Sequence, residues 1–247
     1  METLIYRREG LIGYLTLNRP KKYNAVNKQM VIELHQFWHE RLYDDKVRVI
    51  VLDGGKAKGF CAGLDMQSYG PAILDEMNPA EAYNAQAEMS RLLLAMRHAP
   101  QPIVCCVHGA AAGLGFSFAM ASDIRVLAED ARCSAAYINI GLGGADMASS
   151  YFLPRLIGSG RANEFLLTGN WMNGEEAMSL GFASRLAPRD KLLDVAGEIA
   201  GTMAGKDPLG LRMTKEVINI NIDAGGLEAC LQMEDRNQMM IAFAKKV

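Results

Sequence analysis

The chain of 247 residues has no excess of positive charge and no long apolar run. Lys and Arg together number 26 against 28 Asp and Glu, so the formal net charge is −2. Proteins that bind nucleic acid usually carry a basic surplus, so we expect no nucleic-acid partner. No window reaches the roughly 18 apolar residues of a transmembrane helix, and charges interrupt the N-terminus METLIYRREG where a signal peptide would be apolar. We therefore expect no membrane span and no secretion.

Cysteine and histidine are scarce and form no metal or redox motif. The five cysteines include the adjacent pair Cys105 and Cys106 but no C-x-x-C, a usage typical of a reducing compartment, so we expect a cytoplasmic protein. His35 and His39 lie one helical turn apart, but the pattern is not H-E-x-x-H and no third ligand accompanies them. The G-x-G-x-x-G fingerprint and the P-loop are also missing. The sequence therefore predicts no metal and no cofactor.

Signals for strands and helices alternate through the first part of the chain. Half of the residues are hydrophobic, which permits one large core. Two units are alike, each with an apolar strand, a glycine-bearing loop and a helix, and their strands are Val47–Leu52 and Ile103–Val107. Gly-Pro and Asn-Pro breaks predict a loop over Ser68–Pro79. After about residue 160 the pattern is almost wholly helical, so we expect an α/β core with a helical C-terminal appendage.

Two glycine-rich loops are candidates for binding a carbonyl oxygen, namely Gly59–Asp65 (GFCAGLD) and His108–Gly115 (HGAAAGLG). Small residues allow backbone N–H groups to point into a cleft. The second loop opens a helix, which puts the N–H of Leu114 at the positive end of the helix dipole. Two such donors aimed at one point would form an oxyanion hole. Turns that need glycine only for conformation or packing are the alternative, and spacing alone leaves both open.

Five stretches of the sequence follow one another in an order found in a known family. They are Leu17–Asn27 (LNRPKKYNAVN), Gly59–Asp65 (GFCAGLD), Val107–Asp123 (VHGAAAGLGFSFAMASD), Ile140–Gly158 (IGLGGADMASSYFLPRLIG) and Gly174–Ala183 (GEEAMSLGFA). Each stretch is only moderately specific by itself. Together they resemble the crotonase superfamily, also called the enoyl-CoA hydratase/isomerase family, over nearly the whole chain.

This resemblance implies a fold, an assembly and a substrate class. The fold would be a crotonase-like spiral of ββα turns over residues 1–190, carrying an acyl-CoA site, and residues 191–247 would form a helical assembly region. The protein would be a homotrimer or a dimer of trimers in fatty acid metabolism, with coenzyme A arriving as part of the acyl-CoA substrate. Carried over by motif, the two oxyanion donors are the N–H groups of Ala62 and Leu114. The resemblance also assigns substrate-binding positions, which are Lys21, Tyr23, Ala25, Gly63, Leu64, Asp65, Ser117 and Tyr137.

The chain departs from the family pattern at two catalytic positions. Family hydratases use two glutamates, and the matching positions here are Ser117 and Tyr137. Hydration needs a base for water and an acid for the α-carbon, and neither side chain is a ready base near pH 7. The acid that remains in this region is Asp146, in a segment where some enoyl-CoA and dienoyl-CoA isomerases of the family carry an acid. A single carboxylate suffices for isomerisation, so we expect Asp146 to be the acid/base of a double-bond shift, with a surface turn as its alternative role.

Other reactions of CoA thioesters stay open at this point. An Asp followed by x-A-x-S-Y is similar to the aromatic-CoA dehalogenases, in which the carboxylate is a nucleophile, but only 7% of the residues here are aromatic. A hydratase, a hydrolase and a relative that binds acyl-CoA without catalysis are further alternatives. The leading prediction is an enoyl-CoA isomerase or hydratase-like enzyme.

Overall fold

A computed structural model describes residues 1–71 and 77–244 of the chain. Nine strands lie within these ranges: β1 (Leu4–Glu9), β2 (Ile12–Leu17), β3 (Val49–Asp53), β4 (Ile103–Val107), β5 (Ala110–Ala112), β6 (Ile124–Ala128), β7 (Arg132–Ser134), β8 (Met172–Asn173) and β9 (Arg185–Ala187). The α-helices within the same ranges are α1 (Lys28–Arg41), α2 (Met66–Pro71), α3 (Pro79–His98), α4 (Leu114–Ala121), α5 (Ser149–Ile157), α6 (Ser159–Thr168), α7 (Gly174–Ser179), α8 (Leu192–Ala204), α9 (Pro208–Asn221) and α10 (Leu227–Ala244).

The strands form two sheets that alternate along the chain. The larger sheet has the order β1-β2-β3-β4-β6-β9, with β1 and β2 antiparallel and every later pair parallel. The smaller sheet has the order β5-β7-β8. Every residue of β3 (VIVLD) and β4 (IVCCV) is buried, as expected for parallel strands covered on both faces. Strand β5 follows β4, and strands β7 and β8 follow β6, so the chain enters the smaller sheet after these two strands of the larger one.

The two faces of the larger sheet are covered by different helices. Ile50 and Leu52 point into the main cluster with the aromatic side chains of α1 and the leucines of α3. Val49 and Val51 point the other way, against α8. Helix α8 presents alanines every fourth residue to the sheet, namely Ala196, Ala200 and Ala204. Helix α8 therefore packs as part of the core. The division of the chain into residues 1–190 and 191–247 stays a prediction.

The predicted α/β fold with a helical C-terminal region is confirmed, and two local features differ from the sequence pattern. The second glycine-rich loop contains a short strand, because Ala110–Ala112 pairs with β7 before the helix begins at Leu114. Alanine favours helices, so nonlocal strand pairing overrides the local preference here. The predicted loop Ser68–Pro79 overlaps α2 at one end and the first residue of α3 at the other, and its residues 72–76 lie outside the described residues.

The C-terminal helix contributes nothing to the core of the chain. No residue of α10 is buried, and its apolar side chains are exposed, namely Leu227, Leu231, Met239, Met240 and Phe243. The assembly into trimers implied by the family resemblance stays a prediction. No helix among the described residues is long and apolar enough to cross a bilayer.

Candidate active site

The first glycine-rich loop is held against the segment that follows β2. Val26 and Leu64 form a parallel bridge, in which the Val26 N–H donates to the Gly63 carbonyl and the Asp65 N–H donates to the Val26 carbonyl. The N–H of Ala62 donates to the carbonyl of Tyr23 over 3.0 Å. The Ala62 N–H is therefore engaged within the protein and is not free to bind a substrate oxygen in this conformation.

Leu64 has the free N–H that Ala62 lacks. A parallel bridge uses the groups on either side of a bridged residue, so the Leu64 N–H remains without an acceptor among the described residues. Gly63 has a φ of +88°, and a Cβ there would lie 2.8 Å from the Ala112 carbonyl oxygen and 3.5 Å from the Leu114 nitrogen. This loop thus brings the backbone of Gly63 and Leu64 against the start of α4.

The second glycine-rich loop supplies the other donor. Gly113 has a φ of +52°, which side chains rarely adopt, and turns the chain from β5 into α4. Leu114 is the first residue of α4, and its N–H has no acceptor among the described parts of the chain. Its predicted position at the positive end of a helix is confirmed. Two N–H groups that have no acceptor among the described residues, on Leu64 and Leu114, therefore belong to neighbouring backbone segments.

Ser117 and Tyr137 form a neutral pair beside these donors. The two hydroxyl oxygens are 3.3 Å apart and share a hydrogen bond, and both side chains are buried. A Cβ on Gly113 would lie 3.2 Å from the edge of the Tyr137 ring, so the ring lines the same space. Burial raises the pKa of the Tyr137 phenol, the hydrogen bond with Ser117 opposes that rise, and the charge of Asp146 adds to it. Tyr137 therefore stays protonated at neutral pH.

Asp146 is half-buried and lies within electrostatic reach of Tyr137. Its Oδ1 accepts a hydrogen bond from the Gln86 side-chain amide over 2.8 Å and another from the Met147 N–H over 2.7 Å. Met147 and Ala148, which follow, have φ values of 45° and 59°. Two consecutive side chains in the left-handed region are unusual, and such strain is concentrated at functional sites. Asp146 thus lies at a partly exposed turn within electrostatic reach of Tyr137, and its predicted acid/base role stays a prediction.

The remaining predicted substrate-binding positions lie on the loop that joins β2 to α1. Lys21 and Tyr23 are exposed, and Ala25 is half-buried. Arg19 fixes this loop because it binds the Ala25 carbonyl and forms a 2.8 Å ion pair with Asp65. Burial raises the pKa of Asp65, but the hydrogen bond and the charge of Arg19 outweigh burial and lower this pKa below its ordinary value. Contact of these positions with coenzyme A stays a prediction.

Asp65 is better described as part of the scaffold of this loop. One carboxylate oxygen binds Arg19, and the other accepts from the N–H of Gln67 at the start of α2. Asn24, which the sequence analysis did not single out, is buried and ties the same loop to the carbonyls of Gly54 and Phe60. These partners are distant in sequence, and an asparagine in a loop gives no local sign of them.

Comparison with known proteins assigns the family. The enoyl-CoA hydratase/isomerase family model matches residues 7–246. The chain is 38% identical to the "probable enoyl-CoA hydratase EchA12" of Mycobacterium tuberculosis (strain ATCC 25618 / H37Rv) over 93% of its length and 81% of the relative. The protein belongs to the enoyl-CoA hydratase/isomerase family, the crotonase superfamily. It is accordingly an enzyme of the hydratase/isomerase type that acts on CoA thioesters.

Solved structures of the family share the fold. The "probable enoyl-CoA hydratase/isomerase" of Mycobacterium abscessus aligns with a TM-score of 0.90 at 32% identity, over 98% of this chain and 90% of that one. A monofunctional enoyl-CoA isomerase of M. smegmatis aligns with a TM-score of 0.79 at 31% identity, over 94% and 99%. Relatives named for hydration and for isomerisation are therefore both similar to this chain, so similarity alone does not choose the reaction.

Proposed function

We propose that the enzyme shifts a double bond of an enoyl-CoA, with Asp146 as its acid/base. In this mechanism the N–H groups of Leu64 and Leu114 bind the thioester oxygen. The carboxylate of Asp146 faces the carbon chain from the other side of the cleft. Ser117 and Tyr137 line the space between them and take no proton.

The chemistry is a proton transfer within one allyl system. Asp146 removes a proton from the α- or γ-carbon, and the electrons of that C–H bond move into the thioester, where they form an enolate. The two N–H groups stabilise the negative oxygen, and each such donor contributes roughly 10²–10³ in rate. Asp146 then returns the proton to the other end of the allyl system, which moves the double bond and regenerates the carboxylate. No water is consumed.

The observation that carries this proposal is the neutral pair of Ser117 and Tyr137, with Asp146 as the carboxylate that acts electrostatically on it among the described residues. Hydration requires water to lose a proton and the α-carbon to gain one, and two carboxylates divide that work well. Ser117 and Tyr137 are hydrogen-bonded to each other over 3.3 Å, and the raised pKa of Tyr137 keeps the phenol from acting as a base. Isomerisation needs only the one acid/base that Asp146 supplies.

Hydration is a second candidate because several similar relatives carry hydratase names, among them a crotonyl-CoA hydratase of Syntrophomonas wolfei that is 27% identical. In that case Asp146 would activate the water and also deliver the proton. The two reactions have different products, since isomerisation leaves the mass of the acyl-CoA unchanged and hydration adds one water. A dehalogenase or a hydrolase would release halide or free CoA.

The test follows a 3-enoyl-CoA and a 2-enoyl-CoA in deuterated water by mass spectrometry. We expect isomerisation of the 3-enoyl-CoA with deuterium entering the α- or γ-carbon, and a loss of about 10²–10⁴ in rate for Asp146→Asn, as for removal of a general base. Asp190→Asn, at an exposed site, is the matched control and should behave like the wild type. Exchange that survives Asp146→Asn removes Asp146 from the mechanism. Tight acyl-CoA binding without any exchange would indicate a non-catalytic relative.

A further inference from the structure

The carboxylate of Asp146 is held unsymmetrically. Both hydrogen bonds to it, from the Gln86 amide and the Met147 N–H, end on Oδ1. Within the described ranges no donor binds Oδ2. A carboxylate with one oxygen held by two donors and the other unoccupied cannot rotate without breaking both bonds. The arrangement therefore distinguishes the two oxygens before any substrate arrives.

We propose that Gln86 is a positioning residue, which anchors Oδ1 of Asp146 so that Oδ2 is the oxygen that exchanges the substrate proton. This inference rests on the proposed function, because it assigns the proton transfer to Asp146. Gln86 touches no reacting atom and acts only through the carboxylate. By holding Oδ1, Gln86 determines which oxygen of the Asp146 carboxylate faces the cleft.

Gln86 is well placed for this role because α3 is a rigid support. Asn78 caps the helix, accepting from the N–H groups of Ala80 and Glu81, while the Glu81 side chain accepts from the Asn78 N–H. Met89, three residues beyond Gln86, is only 1% exposed and fixes this turn of the helix in the core. Precise sites need side chains supported by packed elements, and the loop around Asp146 supplies no such element itself.

The second anchor is local and requires backbone strain. Met147 and Ala148 adopt positive φ values, each costing about 1–2 kcal/mol for residues other than glycine. This conformation turns the Met147 N–H back onto the Asp146 side chain. Ser149 closes the same turn, since its N–H donates to the Asp146 carbonyl over 2.9 Å and its hydroxyl accepts from the Asp146 N–H over 3.2 Å. The turn fixes the backbone, so Gln86 is left to fix the side-chain rotation.

The test compares Gln86→Leu with Gln36→Leu. Gln36 donates its amide to Glu40 on the exposed part of α1, so the control removes the same kind of bond far from the site. We expect Gln86→Leu to lower kcat by 10-fold or more while the dissociation constant for a saturated acyl-CoA changes less than 2-fold.

Gln86→Glu provides a variant of the same size. Its protonated carboxyl group can donate to Oδ1 like the amide, whereas its ionised form repels Asp146. We therefore expect activity relative to wild type to recover as the pH is lowered, which a loss of folding would not produce. A Gln86→Leu enzyme with wild-type kcat would refute the positioning role, and so would a Gln86→Glu enzyme without this recovery. If Asp146→Asn also retains exchange, the proposed function itself fails; if only the Gln86 result is negative, the proposed function stands.

Discussion

Gly63→Ala should separate the two backbone donors without touching any functional side chain. Gly63 has a φ of +88°, and a Cβ there would lie 2.8 Å from the Ala112 carbonyl oxygen, closer than real Cβ atoms approach backbone oxygen. Because that neighbour is backbone, the loop that carries Leu64 must move away from the start of α4. Loss of one oxyanion donor costs roughly 10²–10³ in kcat, or about 2.7–4 kcal/mol of transition-state stabilisation. We expect a fall of that size in the isomerisation rate.

Gly181→Ala is the matched control for this substitution. Gly181 has a φ of +78°, but no atom lies within 4 Å of an added Cβ. It should therefore lose about 1–2 kcal/mol of unfolding free energy from the backbone alone and keep its activity. Both variants are measured by urea unfolding and by the rate of α-proton exchange. A Gly63→Ala enzyme whose rate stays within threefold of Gly181→Ala would refute the assignment of Leu64 as a donor.

Two further predictions concern a neutral hydroxyl and a buried acid. Tyr137→Phe should lower the exchange rate by less than about tenfold, far less than Asp146→Asn. The reason is that Tyr137 is hydrogen-bonded to Ser117 and stays protonated. A loss of rate as large as that of Asp146→Asn would show that the phenol is a catalytic group. Although burial opposes it, hydrogen bonds from Gln29 and from the N-terminal residues lower the pKa of Glu33 from its ordinary value of 4.5 to about 2. The folded state thus gains stability that is fully present above pH 4.5 and is lost as the pH falls towards 2. Glu33→Gln should flatten this part of the curve of unfolding free energy against pH, and an unchanged slope would contradict the pKa.

The fold was predictable where a local pattern decides the structure. The buried runs of β3 and β4 and the 3–4 spacing of α1 are visible in the sequence, since each strand or helix is apolar in its own period. The short strands were not predictable in the same way. Ala110–Ala112 has the composition of a helix and becomes a strand only because β7 lies beside it. A three-residue strand is stabilised by its partner, and the partner is distant in sequence.

The same distinction holds for the candidate site, where local sequence predicted some features and contacts between distant residues decided the others. Leu114 could be placed at a helix N-terminus because a strand, a glycine and an apolar helix follow one another in the sequence. Ala62 could not be excluded, because its N–H is occupied by the Tyr23 carbonyl from another loop. Gln86 and Asp146 are 60 residues apart, and a glutamine on a helix gives no local sign of its acceptor. Sequence motifs identified the segments of the site, and tertiary contacts decided which atom of each segment is free.

The polar atoms of the site that have no hydrogen-bond partner among the described residues indicate what kind of substrate the site could bind. Among residues 1–71 and 77–244, Leu64 and Leu114 have N–H groups without acceptors, and Asp146 has one carboxylate oxygen without a donor. Ser117 and Tyr137, which occupy the positions of two acids in family hydratases, bind each other. Unpaired polar groups in a protein are costly unless a ligand or water satisfies them. Two donors and one acceptor in this arrangement support the proposed substrate, which would present one carbonyl oxygen and one acidic C–H.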